Sequence, residues 1–149
     1  MYEFLLNTHS LLRWFVLIPL VILVLRSWQG WITNSKFSSF DRIIKSSTVG
    51  FIHLQFIIGL ALYFLSPLIQ EFIGNLLELV KVKEVRFFGM EHSITMLLAV
   101  VFATIGSSKS KKKINDKDSF RVQALWFTIV LILIFMMIPW DFINFTPNR

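Results

Sequence analysis

The sequence predicts an all-α integral membrane protein: a transmembrane four-helix antiparallel bundle with a short interfacial amphipathic helix between helices 2 and 3. Three observations lead to this prediction. Of the 149 residues, 55% are hydrophobic, more than in an ordinary globular domain. The apolar residues gather in four segments near the ~20 residues that a helix needs to cross ~30 Å of hydrocarbon. The alternating strands of about ten residues that build a membrane barrel are not seen in the sequence.

The predicted helices belong to one membrane domain over residues 1–149 and cover about 4–33, 43–66, 87–107 and 119–140. Helix 1 has neither the positive start nor the cleavage site of a secretory signal, so we expect it to remain in the protein. Between helices 2 and 3, residues 68–81 carry apolar side chains on one face and polar side chains on the other. This pattern is typical of a helix lying in the outer membrane interface.

The basic residues predict the orientation. Ten of the 15 Lys and Arg residues lie in the two connections that join helix 1 to helix 2 and helix 3 to helix 4. Positive loops stay in the cytoplasm, so both termini and the remaining connection are expected on the periplasmic side of a bacterial inner membrane. The basic run 109–113 fits a topology signal that also attracts anionic lipid. We therefore expect membrane lipids as partners and no nucleic acid.

The absence of cysteine excludes several cofactor chemistries. With no Cys, the chain can form neither disulfides, nor thiolate-held iron–sulfur or zinc sites, nor a C-x-x-C-H haem attachment. The sequence also shows no Gly-rich phosphate loop, no Ser/His/Asp set and no paired carboxylates. Hydrolytic chemistry has no support, and at most an electron-transfer component is expected.

Two histidines predict a cofactor site. Glu91 and His92 lie just inside the third apolar segment, where ionisable groups are costly and are therefore functional candidates. His9 lies at a matching depth in helix 1, and helices 1 and 3 are diagonal neighbours in a sequential antiparallel bundle. His9 and His92 are thus predicted as metal ligands, the two axial imidazoles of a haem b. The alternative is that both side chains are structural.

A stripe of mostly small residues shares the helical face of His92: Thr95, Met96, Ala99, Ala103 and Gly106. Such a stripe admits either a neighbouring helix, the commoner case in membranes, or a flat cofactor. The stripe alone does not decide between them.

Two arginines are predicted to neutralise haem propionates. Arg13 lies one turn deeper than His9, where an unpaired guanidinium is expensive, so it is expected to pair either with a propionate or with Glu91. Arg86 is a second propionate candidate at the outer rim. His53 lies perhaps 10 Å deeper than the other histidines, and four roles stay open for it: a structural hydrogen bond, a quinone head group, a proton relay or another metal.

The sequence resembles a group of small four-helix membrane proteins of Bacteroidota labelled cytochrome b-like. The matching motifs cover most of the chain: HSLLRW from His9, GW at Gly30, HLQFIIGLALYFLSP from His53, RFFGMEH from Arg86, IGSSKSKK from Ile105 and IPW from Ile138. The resemblance implies a bundle that carries b-type haem, with His9, His53 and His92 as the histidines of the shared motifs.

These observations predict an inner-membrane, b-type haem-binding electron-transfer protein that exchanges electrons with a redox partner such as quinone. The alternative is a cofactor-free accessory subunit of a larger membrane complex, with its small-residue face packed against a partner helix.

Overall fold

The described part of the chain is helical, as the sequence predicts. The computed structural model describes residues 1–140, and no strand occurs among them. Four helical stretches have the length and apolar composition to span a membrane. They contain the four long helices: α1 (Tyr2–Thr33), α2 (Ser39–Leu65), α6 (His92–Lys111) and α7 (Asp116–Met136). These stretches identify a membrane protein.

The segment between α2 and α6 is divided into several short elements. They are α3 (Pro67–Gly74), α4 (Leu76–Leu79), α5 (Lys83–Arg86) and a π-helical turn over Phe87–Glu91 that leads directly into α6. The sequence predicts one amphipathic stretch over 68–81, whereas the helix is interrupted at Asn75. Gly74 and Asn75 are poor helix formers, which accounts for the break. Ile69 and Phe72 are the buried residues of α3.

Local chemistry explains where the long helices begin and end. The Ser38 hydroxyl accepts a hydrogen bond from the Asp41 backbone N–H, while the Asp41 carboxylate accepts one from the Ser38 N–H. This capping box starts α2 at Ser39, four residues before the predicted start. At the other end of the chain, α7 stops at Met136 rather than at residue 140. Pro139 lacks an N–H and disfavours helical geometry in the residue before it.

The four long helices pack in a ring. Helix α1 packs against α2 and α7, and α6 packs against the same two helices, so α1 and α6 occupy opposite corners. The buried core lies between them and includes Leu20, Leu23, Ala103, Phe127 and Val130. Two glycines allow close contact between long helices: a Cβ on Gly30 would lie 2.6 Å from the ring of Phe120, and one on Gly106 would lie 2.5 Å from Trp126 Cβ.

One end of the ring carries a set of bonds between helices. Arg26 on α1 pairs with Asp41 on α2 at 2.7 Å, and the Lys45 ammonium donates to the Ser110 hydroxyl at 3.1 Å. The opposite end contains the N-terminal turns of α1 and α6. The expectation for the C-terminus concerns residues 141–149 and lies outside the described residues.

Candidate functional site

The structure brings the imidazole side chains of His9 and His92 together in the space between the four long helices. Their ring centres are 6.4 Å apart, and the ring planes meet at 70°. His9 is on α1 and His92 is the first residue of α6, so the pair joins the two opposite corners. Both side chains are partly buried. The pairing that the sequence predicts from matching depths is present in the fold.

His92 has one ring nitrogen engaged by the backbone. Its Nδ1 lies 2.9 Å from the carbonyl oxygen of Met137, and because a carbonyl only accepts, Nδ1 carries the proton and donates. The tautomer that this bond selects leaves Nε2 unprotonated and able to bind a metal. The rings of Phe87 and Phe88 lie 5.8 Å and 6.4 Å from the imidazole. His92 is therefore oriented from two sides.

Helix α2 contacts His9 closely. The Gln55 side-chain amide donates to the His9 backbone oxygen at 2.8 Å, and a Cβ on Gly59 would lie 3.0 Å from His9 Cε1. Within residues 1–140, the buried Nδ1 atom of His9 has no hydrogen-bond partner. A buried polar atom left unpaired costs free energy, so this nitrogen is a sign of a missing ligand.

The two arginines differ in how they are bonded. Of the two partners expected for Arg13, a propionate or Glu91, Glu91 is bound to Arg86 instead, at 2.7 Å. The Arg86 guanidinium also donates to the Val80 carbonyl, so it lies at the rim with partners of its own. Among the described residues, the buried Nε of Arg13 has no acceptor, and its guanidinium stacks 5.5 Å from the ring of Trp14. Arg13 thus retains an unused donor beside His9.

His53 lies apart from the other two histidines. Its Nδ1 is 2.7 Å from the Val49 carbonyl, and its Nε2 is 3.2 Å from the hydroxyl of Thr104 on α6. Thr104 is twelve residues beyond His92, or about 18 Å along the helix. Both ring nitrogens have partners, so His53 joins α2 to α6 by hydrogen bonds and does not face the His9–His92 pair.

The lower part of the small-residue stripe of α6 is used by a neighbouring helix of the same chain. Ala99 and Ala103 are buried in the core with Phe127 of α7, and Gly106 meets Trp126. These buried positions of the stripe serve helix packing. They are neither a slot for a flat ring below His92 nor a face free for a partner helix.

The spacing of the two imidazole rings is compatible with one metal ion between them, whose remaining ligands a cofactor would supply. Nitrogen–metal bonds of about 2 Å place two opposed imidazole centres about 6 Å apart, which agrees with 6.4 Å. Within the described part, no group of three or more His, Asp and Glu side chains gathers as a metal site. Two imidazoles suffice for haem because the macrocycle supplies four nitrogens to the iron. The unpaired Nδ1 of His9 and the unpaired Nε of Arg13 are further signs of a ligand here.

Comparisons with known proteins add no assignment. A scan against models of protein families finds no match, and neither a search of the curated proteins nor a search of the solved structures finds one.

Sequence reasoning missed four contributors to the site. Gln55 carries an amide inside an apolar segment, a detectable signal, but the pattern does not show that it reaches the His9 backbone. Gly59 is detectable only as a small residue. Tyr63 donates to the carbonyl of Gly89 in the π-helical turn at 3.0 Å, and Met137 contributes a backbone oxygen. No side-chain pattern reveals a backbone acceptor.

Proposed function

We propose that this chain is a b-type haem-binding electron-transfer protein of a bacterial inner membrane. The observation that carries the proposal is the pair of imidazoles from opposite helices, His9 and His92, at the spacing of two axial ligands. Haem bound there would supply one-electron chemistry. The chain's own part is to hold and orient the two imidazoles.

The chain has separate means to hold each imidazole. The Met137 carbonyl accepts from His92 Nδ1, which is the bond to a second group that orients most metal-binding histidines. On the other side, Gln55 binds the His9 backbone and Gly59 leaves space for the His9 ring. Because these contacts come from α2 and from the segment after α7, the ligand geometry depends on all four long helices.

Arg13 is the better propionate partner of the two candidates. Its Nε–H has no acceptor among the described residues, and a carboxylate would provide a charge-assisted hydrogen bond. Arg86 is bound to Glu91 and is 40% exposed, so a charge there is more strongly screened. We assign Arg13 the main role in neutralising a propionate and Arg86 a lesser role at the rim.

The proposal includes an orientation in the membrane. The four long helices would run antiparallel, with the basic connections 34–38 and 112–115 and their flanking turns in the cytoplasm. Both termini and the short helices α3–α5 would then lie at the periplasmic face, with the apolar side chains of α3 facing the bundle. This orientation puts the His9–His92 pair near the periplasm.

The absorption spectrum of the purified protein tests the proposal. Protein expressed with ample haem is expected to show a Soret band that shifts when dithionite is added, with about one haem per chain. A colourless protein under the same conditions would contradict haem binding. It would favour the cofactor-free accessory subunit, and stoichiometric co-purification of another chain would support that alternative further.

A further inference from the structure

The turn before His92 differs from the α-helix that follows it. It covers Phe87–Glu91, and the His92 backbone N–H donates to the carbonyl oxygen of Phe87, five residues earlier. Bonds in an α-helix join residues four apart, and a single turn of the wider kind is rare in proteins. Contacts from neighbouring elements are therefore expected to stabilise this turn.

Two hydroxyl groups donate to consecutive carbonyls of the turn. The Tyr63 hydroxyl of α2 donates to the Gly89 carbonyl at 3.0 Å, and the Ser93 hydroxyl of α6 donates to the Phe88 carbonyl at 2.9 Å. Helix α3 adds a packing contact, because a Cβ on Gly89 would lie only 2.6 Å from a ring carbon of Phe72. Side chains from α2, α3 and α6 thus hold the same five residues.

The wider turn affects which aromatic ring contacts His92. Residues five apart on an α-helix differ by about 140° around its axis, so a regular helix would direct Phe87 away from the face of His92. The wider turn brings the two side chains closer to one side, and their ring centres are 5.8 Å apart. The bond to the Met137 carbonyl fixes one ring nitrogen of His92. The contact with Phe87 restricts the tilt of the ring plane.

We propose that Tyr63 is a positioning residue for the His92 imidazole, with Ser93 in the same role. The Tyr63 hydroxyl holds the π-helical turn in the form that puts the Phe87 ring against His92, so it acts on the imidazole through the turn. The purpose of this contact rests on the proposed haem site, since groups around a metal-binding histidine orient its ring. The contact itself does not require haem.

Nuclear magnetic resonance of the haem-free protein in lipid nanodiscs tests this role, with the imidazole carbons of the three histidines labelled with ¹³C. The Phe87 ring displaces the Cε1–H resonance of His92, which is assigned by its loss in His92→Asn. Phe87→Leu removes that ring and gives the reference position. Tyr63→Phe lacks only the hydroxyl, and in this variant the resonance is expected to move toward the reference position.

Matched variants separate this role from general effects. Tyr2→Phe makes the same change at the other of the two tyrosines and should leave the His92 resonance in place. Ser93→Ala should move the resonance in the same direction as Tyr63→Phe, whereas Ser108→Ala at an exposed position of α6 should not. A resonance that stays in place in Tyr63→Phe, or moves as far in Tyr2→Phe, would overturn the role. If Tyr63→Phe does not fold, Ser93→Ala decides by the same resonance.

The haem-loaded protein provides a second measurement. Tyr63→Phe should bind haem about fivefold more weakly, the factor that corresponds to one hydrogen bond. Its low-spin electron paramagnetic resonance signal should broaden, because the His92 ring takes a range of tilts. A loss of bundle stability alone would leave the signal of the folded protein unchanged. A signal as sharp as that of the wild type would therefore contradict a role in ligand geometry.

This role and the haem proposal fail separately. A colourless protein in which Tyr63→Phe moves the His92 resonance would contradict haem binding and leave the positioning role intact. A haem-loaded protein whose His92 resonance stays in place in the haem-free Tyr63→Phe variant would contradict the positioning role alone.

Discussion

Two histidine regions of the molecule differ in how completely their polar atoms are bonded. In the first region, His53 has a partner for each ring nitrogen: the Val49 carbonyl of its own helix and the hydroxyl of Thr104. At the end that contains His9, the buried atoms His9 Nδ1, Arg13 Nε and Gln55 Oε1 have no hydrogen-bond partner among the described residues. All three histidines occur in similar apolar stretches of sequence. The comparison shows that the hydrogen bonds made, and not the presence of a histidine, separate the proposed ligand site from the bonded histidine His53.

Removal of a single imidazole should give the largest difference in haem content between the two histidine regions. His9→Ala and His92→Ala are each expected to abolish the Soret band, because one axial ligand alone leaves the iron without its second bond to the bundle. His53→Ala serves as the control and should keep haem at the wild-type level. The measurement is haem content per chain after purification. Retained haem in His9→Ala, or loss in His53→Ala alone, would reverse the roles of the two regions.

A glycine pair on α2 offers a smaller and purely steric change. Gly59→Val places a side chain against His9, where even a Cβ lies 3.0 Å from the ring. Overpacking of this kind costs about 1–3 kcal/mol, so haem affinity should fall by about tenfold or more. Gly50→Val is the matched control, because a Cβ there meets nothing within 4 Å. Haem titration of the apoproteins measures both, and equal affinities would contradict the proposed contact.

Substitution of each arginine tests which of the two charges lies nearer to the proposed haem. Arg13→Gln should lower the reduction potential of the haem by about 60 mV, a tenfold change in a one-electron equilibrium, because a positive charge near the iron stabilises the reduced form. Arg86→Gln should change the potential less, since Arg86 is paired with Glu91. Redox titration gives both values. A larger change in potential for Arg86→Gln than for Arg13→Gln would indicate that the propionates lie beside Arg86 at the rim.

The smallest effect is expected from the hydrogen bond between Thr104 and His53. Thr104→Val removes the hydroxyl that meets His53, and a hydrogen bond between membrane helices contributes about 0.6 kcal/mol on average. We expect a decrease of that size in the free energy of unfolding and an unchanged absorption spectrum. Unfolding in mixed micelles measures the first quantity. A spectral change in Thr104→Val would connect His53 to the cofactor.

The sequence was sufficient for the elements that depend on local patterns. Apolar segment lengths predicted four long helices. The proximity of His9 and His92 followed from depth and helix order. The helix prediction succeeds because hydropathy is a property of each segment itself.

Other parts of the site depend on tertiary packing and could not be predicted. The π-helical turn before His92 lies where Gly89 receives the ring of Phe72, and such turns are frequent at functional sites. Arg86, just before this turn, binds Glu91, so Glu91, one of the two partners expected for Arg13, is not available to it. The acceptor for His92 is a backbone oxygen after α7. A sequence carries no side-chain signal for such a group.

Electron paramagnetic resonance of the oxidised, haem-loaded protein tests the central claim most directly. Two imidazole ligands make ferric haem low-spin, and planes at 70° are nearly perpendicular. Nearly perpendicular axial imidazoles predict a highly anisotropic low-spin signal that disappears in both His9→Ala and His92→Ala. A high-spin signal in the wild type, or a low-spin signal that survives in His92→Ala, would contradict ligation by this pair.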